Sequence, residues 1–235
     1  TMGYKLAGYE HLGGVEIDPK IADVYQENHK PKHLFVEDVR LFNQRTDLPP
    51  ELFDLDILDG SPPCSTFSMA GSREKAWGKK KQFREGQAVQ VLDDLVFEYV
   101  RTIGKLKPKV CLLENVRGII QGNAKAYSKE IVRQMTAAGY RVQVFLLNAA
   151  SMGVPQKRER VFFIGLRKDF DLPELKLRFS ERPILFGEFT NKTGRELQTN
   201  GKLYSDWKAR KIGDKNFSQI CIREENAAKR LAAFS

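Results

Sequence analysis

The chain has 235 residues, enough for one substantial hydrophobic core with a small appendage. It contains no apolar run long enough to span a bilayer, so we expect no membrane partner. Lysine and arginine outnumber the acidic residues by 39 to 30, which gives a net charge of +9 and a pI near 9.4. This excess favours an anionic partner, with nucleic acid as the leading candidate and simple solubility as the alternative.

The cysteines exclude two further classes of protein. Cys64, Cys111 and Cys221 are odd in number and widely spaced, which argues against a disulfide framework and suits a reducing cytoplasm. No CxxC pair occurs, and the three histidines show no ligand spacing with the cysteines. We therefore predict a cytoplasmic protein without a metal site.

Strands and helices alternate along the first two thirds of the sequence. The predicted elements, in chain order, are the helix end YKLAGYE, the strand HLGGVEID, the helix PKIADVYQENH, the strands HLFVEDV and FDLDILD, a helix from Glu85 to about Leu106, the strand KPKVCLLENV, the helix YSKEIVRQMTAAGY, and the closing strand pair RVQVFLLNA and RVFFIGL. This alternation predicts an α/β fold with a Rossmann-like, doubly wound, mostly parallel sheet. The apolar run VCLL further predicts a strand buried on both faces.

Residues 173–235 break this pattern. They are polar and basic and contain no complete core element, apart from a possible helix at YSDWKARK. We therefore divide the chain into a first domain, 1–172, and a linker with a partial second region, 173–235. In doubly wound sheets, ligands bind beyond the carboxyl ends of the strands, so the site is expected in the first domain.

Two strand ends carry groups that suit covalent chemistry. Cys64 lies in the loop GSPPCSTFS, directly after a predicted strand, where a thiolate can act as a nucleophile. Glu114 ends the strand LLENV, where its carboxyl group would lie at the rim of the sheet. Taken alone, the first pattern also fits an ordinary turn and the second a carboxylate that starts a helix.

Charged residues at three other strand ends suit recognition. Arg158 and Arg160 in QKRER are two apart, which would place both side chains on one face of a strand, beside a polar planar group or a phosphate. Glu16 in VEID could bind ribose hydroxyls, Ile17 could pack on adenine, and Asp38 in VEDV could accept from the adenine amino group. The alternatives are a solvated strand end and two turn residues.

Together these motifs resemble the DNA cytosine C5-methyltransferase family. The most specific are the PPC loop, the ENV strand end and the QxRxR entry, and the resemblance covers roughly Gly3 to Phe189. It implies the S-adenosylmethionine-dependent methyltransferase fold. It also implies methyl transfer to C5 of a cytosine that has been flipped out of duplex DNA, with S-adenosylhomocysteine as the product.

The resemblance also implies a role for each candidate residue. Cys64 would attack C6 of the cytosine, Glu114 would hold N3 and the exocyclic amine, and Arg160 would contact the base oxygen with Arg158 in support. Ser68 and the basic run SREKAWGKKKQFREG would belong to a loop that closes over the phosphates, although a solvated surface run is the alternative. The residues that match cofactor-pocket positions are Glu16, Ile17, Asp38, Val39 and Leu95.

The sequence departs from the family pattern at both ends. The first strand and its FxGxGG turn, which would precede TMGYKLAGYE, are absent, and the target-recognition region is partial. We therefore expect this sequence to be part of a longer protein that acts as a monomer on DNA, in restriction–modification or in a phage. A split enzyme completed by a second polypeptide is the rarer alternative.

Two alternative functions remain open at this point. One is methylation of RNA cytosine, in particular transfer RNA, since a transfer-RNA enzyme of this family shares the arrangement of motifs. The other is nucleic-acid binding by a catalytically incomplete fragment, which the absent glycine turn favours.

Overall fold

The computed structural model of the chain describes residues 1–63, 95–122 and 124–184. The chain divides into two compact units, Thr1–Pro183 and Ile184–Ser235, and the described residues belong almost entirely to the first. Cys64, Ser68, the basic run and nearly all of the second unit lie outside the described residues.

Apart from one helix that was not predicted, Val39–Gln44 between the second and third strands, the elements follow the predicted order. They are α1 (Met2–Leu6), β1 (Gly13–Glu16), α2 (Pro19–His29), β2 (His33–Val36), α3 (Val39–Gln44), β3 (Ile57–Gly60), α4 (Leu95–Leu106), β4 (Val110–Val116), α5 (Ala124–Ala137), β5 (Tyr140–Asn148) and β6 (Glu159–Arg167). The helix predicted from Glu85 is described from Leu95 and ends at Leu106, as expected. After α5, Gly139 adopts a φ of 102°, which favours glycine and explains why the helix ends there.

The strands form two hydrogen-bonded sheets. β1 and β2 pair in parallel, and the second sheet has the order β3-β4-β6-β5. In this second sheet β3 and β4 are parallel, while β6 runs antiparallel to both of its neighbours because β5 and β6 form the predicted closing pair. The predicted α/β class is confirmed, and its sheets are mixed.

Two aspartates set the helices that follow β1 and β2. Asp18 caps α2 by accepting from the amides of Lys20 and Ile21 at 2.9 and 3.4 Å, and Pro19 occupies the first turn. Asp38 caps α3 by accepting from the Arg40 amide at 2.8 Å. Because both caps satisfy backbone donors that a helix start leaves unpaired, each strand end turns directly into a helix.

The main core lies between one face of the four-stranded sheet and two helices, α4 and α5. Its fully buried members include Ile103, Ile131, Leu113 and Phe163. Along β4 only alternate residues are buried, whereas Leu112 and Glu114, on the opposite face, remain partly exposed. The prediction that VCLL is buried on both faces was therefore wrong, because α4 and α5 cover only one of them.

A second core cluster joins the two sheets. Phe42 of α3 and Leu106 of α4 are buried there, and Val15, Phe35 and Leu58 of β1, β2 and β3 pack against them. Within the described residues no ladder of hydrogen bonds joins β1 to β3. The two sheets thus share one packed layer although their strands do not pair.

The segment after β6 is tied to the edge strand β5. It contains no helix or strand up to residue 184, but the Leu175 amide donates to Gln143 Oε1 at 2.8 Å and Gln143 Nε2 donates back to the Leu175 carbonyl at 3.2 Å. The Glu181 amide also donates to the Ser151 carbonyl at 3.2 Å. The first part of the predicted linker therefore packs on the first unit.

None of the described helices is long and apolar enough to cross a membrane.

Candidate active site

Glu114 and Arg160 form an ion pair at the end of β4. Glu114 lies opposite Phe162 and Arg160 lies opposite Val116 in the antiparallel ladder, so the two charged side chains are diagonal neighbours on one face. Arg160 Nε lies 3.0 Å from Glu114 Oε1, and each side chain is about a quarter exposed, at 25% and 24%. The pair therefore presents donors and an acceptor side by side at the surface, which suits a polar planar ligand.

The second predicted arginine lies outside the strand. β6 begins at Glu159, so Arg158 stands one residue before it, is exposed, and accepts from the Ala149 amide through its carbonyl at 3.0 Å. Glu159 instead pairs with Arg117 at 2.7 Å. The structure thus brings Arg160, but not Arg158, into contact with Glu114.

The loop that leads to Cys64 is joined to β4 by a hydrogen bond. Asn115 Nδ2 donates to the Pro62 carbonyl at 3.3 Å, and Asn115 is only 2% exposed. Its Oδ1 accepts from the Val116 amide at 2.8 Å. Cys64 itself lies outside the described residues, but the chain two residues before it is held beside the residue that follows Glu114.

Sequence reasoning missed Asn115 although it is part of the ENV motif. The signal was its position in the alternation of β4, because an amide at a core-facing position needs hydrogen-bond partners within the protein. An asparagine that follows apolar core positions at a strand end therefore indicates a polar contact with a neighbouring segment.

The candidate cofactor residues Glu16 and Ile17 lie where β1 turns into α2. Glu16 is the last residue of β1 and its Oε1 accepts from the Asp18 amide at 2.9 Å. Both Glu16 and Ile17 are partly exposed, whereas Asp18 is buried as the cap of α2. A carboxylate and an apolar side chain are thus held next to each other at this strand end.

Asp38 and Val39 lie at the corresponding point after β2. The Asp38 carboxylate pairs with Arg40 at 2.9 Å in addition to capping α3. Val39 is the first residue of α3 and is partly exposed. β1 and β2 are parallel neighbours, and Glu16 lies opposite Val36. Both predicted acidic residues therefore lie at the carboxyl end of that sheet.

Leu95 begins α4, which packs against α3. Asn43 Nδ2 of α3 donates to both the carbonyl and the carboxylate of Glu98 at 3.0 Å, and α3 also contacts β1. Leu95 is 8% exposed at the start of this helix. The five predicted cofactor residues therefore lie on, or next to, three elements of which α3 contacts the other two.

The side chains at these five positions fit the adenosine part of S-adenosylmethionine. Glu16 and Asp38 offer carboxylate oxygens to hydroxyl and amino donors, and Ile17, Val39 and Leu95 offer apolar surface to an adenine ring. Asp38 already accepts from Arg40, so an amino group would share its carboxylate.

The charge of Asp59, in β3, acts on Tyr4 of α1. Burial raises the pKa of Tyr4 in α1 to about 12, and the Asp59 carboxylate adds to the rise. Asp59 belongs to β3, just before the loop that leads to Cys64.

Within the described residues no group of three or more His, Cys, Asp or Glu side chains could hold a metal ion.

Comparison with known proteins assigns the family. The family C-5 cytosine-specific DNA methylase matches residues 1–228. The type II methyltransferase M.FnuDI of Fusobacterium nucleatum is 34% identical over 178 residues, which is 76% of this chain and 46% of the relative. M.NgoMIV of Neisseria gonorrhoeae is 34% identical over 193 residues, 80% of this chain and 55% of the relative.

A solved structure supports the fold. A DNA modification methyltransferase encoded within a prophage of E. coli superposes with a TM-score of 0.58 at 22% identity, over 81% of this chain and 50% of that chain. The predicted methyltransferase fold is thereby confirmed. This chain spans about half the length of the relatives it matches. Because the family match extends over nearly the whole sequence, the chain belongs to the C-5 cytosine-specific DNA methylases.

Proposed function

We propose that the protein transfers a methyl group from S-adenosylmethionine to C5 of a cytosine in duplex DNA. The observation that carries this proposal is the contact between the ENV motif and the PPC loop. Asn115 binds the Pro62 carbonyl while its neighbour Glu114 pairs with Arg160. Three separate motifs thus meet at the ends of β3, β4 and β6, and the type II methyltransferase relatives support the same activity.

The residues divide the proposed reaction between them. The Cys64 thiolate adds to C6 of a flipped-out cytosine, and the electron pair displaced from the C5–C6 bond makes C5 nucleophilic. N3 takes up a proton through Glu114, which also accepts from the exocyclic amine, and Arg160 donates to the base oxygen, so both residues stabilise the charge that the addition creates. When bound, S-adenosylmethionine supplies the methyl group and leaves as S-adenosylhomocysteine. Loss of the C5 proton then expels the Cys64 thiolate and releases the methylated base.

The cofactor part of the proposal rests on residues at the carboxyl ends of β1 and β2. Glu16 would bind the ribose hydroxyls and Asp38 the adenine amino group. Ile17, Val39 and Leu95 would enclose the ring, and Arg158 would support Arg160 from its exposed position before β6. We further propose that the enzyme acts as a monomer on DNA in the cytoplasm.

The test is covalent trapping. The protein is incubated with S-adenosylmethionine and a randomised duplex library that carries 5-fluorocytosine, and the products are examined by denaturing mass spectrometry. Release of the thiolate requires removal of a proton from C5, and 5-fluorocytosine carries fluorine there instead of hydrogen. An active Cys64 therefore stays covalently attached to the DNA. We expect an adduct on the peptide that contains Cys64, its loss in Cys64→Ser, and its retention in the control Cys221→Ser.

Two results would contradict the proposal. An adduct that forms with 5-fluorocytosine transfer RNA but not with the duplex library would assign the chemistry to RNA. Tight duplex binding that is unchanged in Cys64→Ser, with no adduct on either nucleic acid, would assign a binding role instead.

A further inference from the structure

Tyr99 of α4 connects the two strands that carry the proposed catalytic groups. Its hydroxyl lies 2.8 Å from the Leu58 carbonyl of β3 and 2.9 Å from the Leu112 carbonyl of β4. The single hydroxyl proton is therefore shared between two neighbouring strands. Tyr99 is 7% exposed, so water cannot readily replace either contact.

Both carbonyls belong to residues near the strand ends that lead to the proposed site. Leu58 lies two residues before Gly60, where β3 ends, and Leu112 lies two residues before Glu114. Beyond Gly60 the chain reaches Cys64 through Ser61, Pro62 and Pro63. A shift of β3 along β4 would therefore move the start of the Cys64 loop relative to Glu114.

The Tyr99 ring also fits directly against Gly60. A Cβ atom at Gly60 would lie 2.5 Å from ring carbon Cδ2 and 2.6 Å from Cε2, closer than any side chain could approach without displacement. The glycine thus lets the ring occupy the space beneath the last residue of β3. The hydroxyl and the ring of one side chain thus both contact this end of β3.

Burial favours the protonated form of the Tyr99 hydroxyl. Burial raises the pKa of Tyr99 well above its ordinary value, because the phenolate would lose its hydration. The hydroxyl therefore remains a donor to the two carbonyls.

We propose that Tyr99 is a positioning residue that holds the carboxyl ends of β3 and β4 in register and thereby fixes where the chain leaves β3, toward Cys64, relative to Glu114. The part that concerns catalysis rests on the proposed function. Tyr99 takes no part in the chemistry itself and acts only through the strand ends. A second tie, from Asn115 to Pro62, holds the loop beyond the same strand end.

The chain supplies a matched control for the test. Tyr140 is fully buried and donates its hydroxyl to the Pro108 carbonyl at 2.7 Å, just before β4 begins. Each of the variants Tyr99→Phe and Tyr140→Phe therefore removes one tyrosine hydroxyl that donates to backbone carbonyls, within β3 and β4 for Tyr99 and just before β4 for Tyr140. Both variants keep their rings in the core and should lower the thermal midpoint by similar amounts.

Two measurements on the full chain distinguish positioning from general stability. The first is amide hydrogen exchange of a peptide that spans residues 57–63, and we expect Tyr99→Phe alone to speed it by about fivefold. The second is the rate of 5-fluorocytosine adduct formation as a function of DNA concentration. Here Tyr99→Phe should lower the maximal rate by about tenfold and change the half-saturating concentration by less than about twofold.

The outcomes separate the two proposals. If Tyr99→Phe and Tyr140→Phe behave alike in both measurements, Tyr99 is only a core residue and the inference is overturned. If the parent protein forms no adduct, the proposed function fails, and hydrogen exchange still decides whether Tyr99 holds the strand end. Faster exchange with an unchanged maximal rate would overturn the catalytic part.

Discussion

Two ion pairs of this protein, Arg160–Glu114 and Arg133–Glu130, differ more in their surroundings than in the distance between their charged atoms. Arg133 and Glu130 are closer, at 2.6 Å, but they lie on the exposed side of α5, with the arginine 67% exposed. Arg160 and Glu114 are more enclosed and stand where three proposed motifs meet. The two pairs should therefore differ in their effect on activity far more than in their effect on stability.

Arg160→Ala should separate activity from folding. Loss of one partly exposed pair costs about 0–1 kcal/mol in the free energy of unfolding, because solvent screens both charges. Loss of a donor to the base oxygen should slow adduct formation by about 10²-fold. Urea unfolding and the 5-fluorocytosine assay measure the two effects. Arg133→Ala is the control and should leave the adduct rate unchanged, and an equal loss of rate in both variants would refute a role for Arg160.

At the scale of an element, β4 combines a closed face with an open one. Cys111 and Leu113 are fully buried against α4 and α5, while Glu114 points to the other side, where the proposed chemistry takes place. Cys111 Sγ also contacts the Gly165 carbonyl of β6 at 3.6 Å. The thiol of β4 is therefore a core group, and we assign it no part in the reaction.

The buried thiol should make the protein less stable in alkali. Burial raises the pKa of Cys111 from 9.0 to about 12, so the folded state binds a proton that the unfolded state releases. The stabilisation that comes from this difference in pKa is fully present below the ordinary pKa of the Cys111 thiol. It is lost as the pH rises toward the raised pKa of the folded state. The free energy of unfolding should fall by up to about 1.4 kcal/mol per pH unit in this window.

Urea unfolding between pH 8 and 10 tests this linkage, because buried tyrosines titrate mainly above that range. Cys111→Ala should be less stable overall, since it leaves a cavity, but its stability should decline less steeply with pH. Parallel curves for the two proteins would show that Cys111 does not titrate on unfolding.

At the scale of the whole molecule, the net charge of +9 predicts salt-dependent DNA binding. Each phosphate that the protein neutralises contributes about −0.9 to the slope of log K against log salt, so six to ten contacts would cost about 10³–10⁵ in affinity between 50 and 200 mM salt. Fluorescence anisotropy with a labelled duplex measures this slope. The triple variant Lys79→Ala, Lys80→Ala, Lys81→Ala should reduce its magnitude by up to about 2.7. An unchanged slope would mean that the basic run is a solvated surface segment.

The sequence predicted local features better than non-local ones. The helix before Gly139 and the strand that carries Glu114 follow from periodicity and from a glycine stop, which are properties of neighbouring residues. The division of the described strands into two sheets and the hydrogen bonds between Gln143 and Leu175 depend on partners far apart in the chain. The candidate site follows the same division, since Glu114 and Arg160 were predicted from motifs whereas Tyr99 required the packing of α4 beneath β3.

The contact between Gly60 and the Tyr99 ring has an evolutionary consequence. Any side chain at position 60 would enter the space that the ring now fills, so neither position can change freely while the other stays as it is. Homologues with a larger residue at the position of Gly60 should therefore carry a smaller one at the position of Tyr99. The strand end and the helix beneath it would then diverge as a coupled pair, even where the motifs around them are constant.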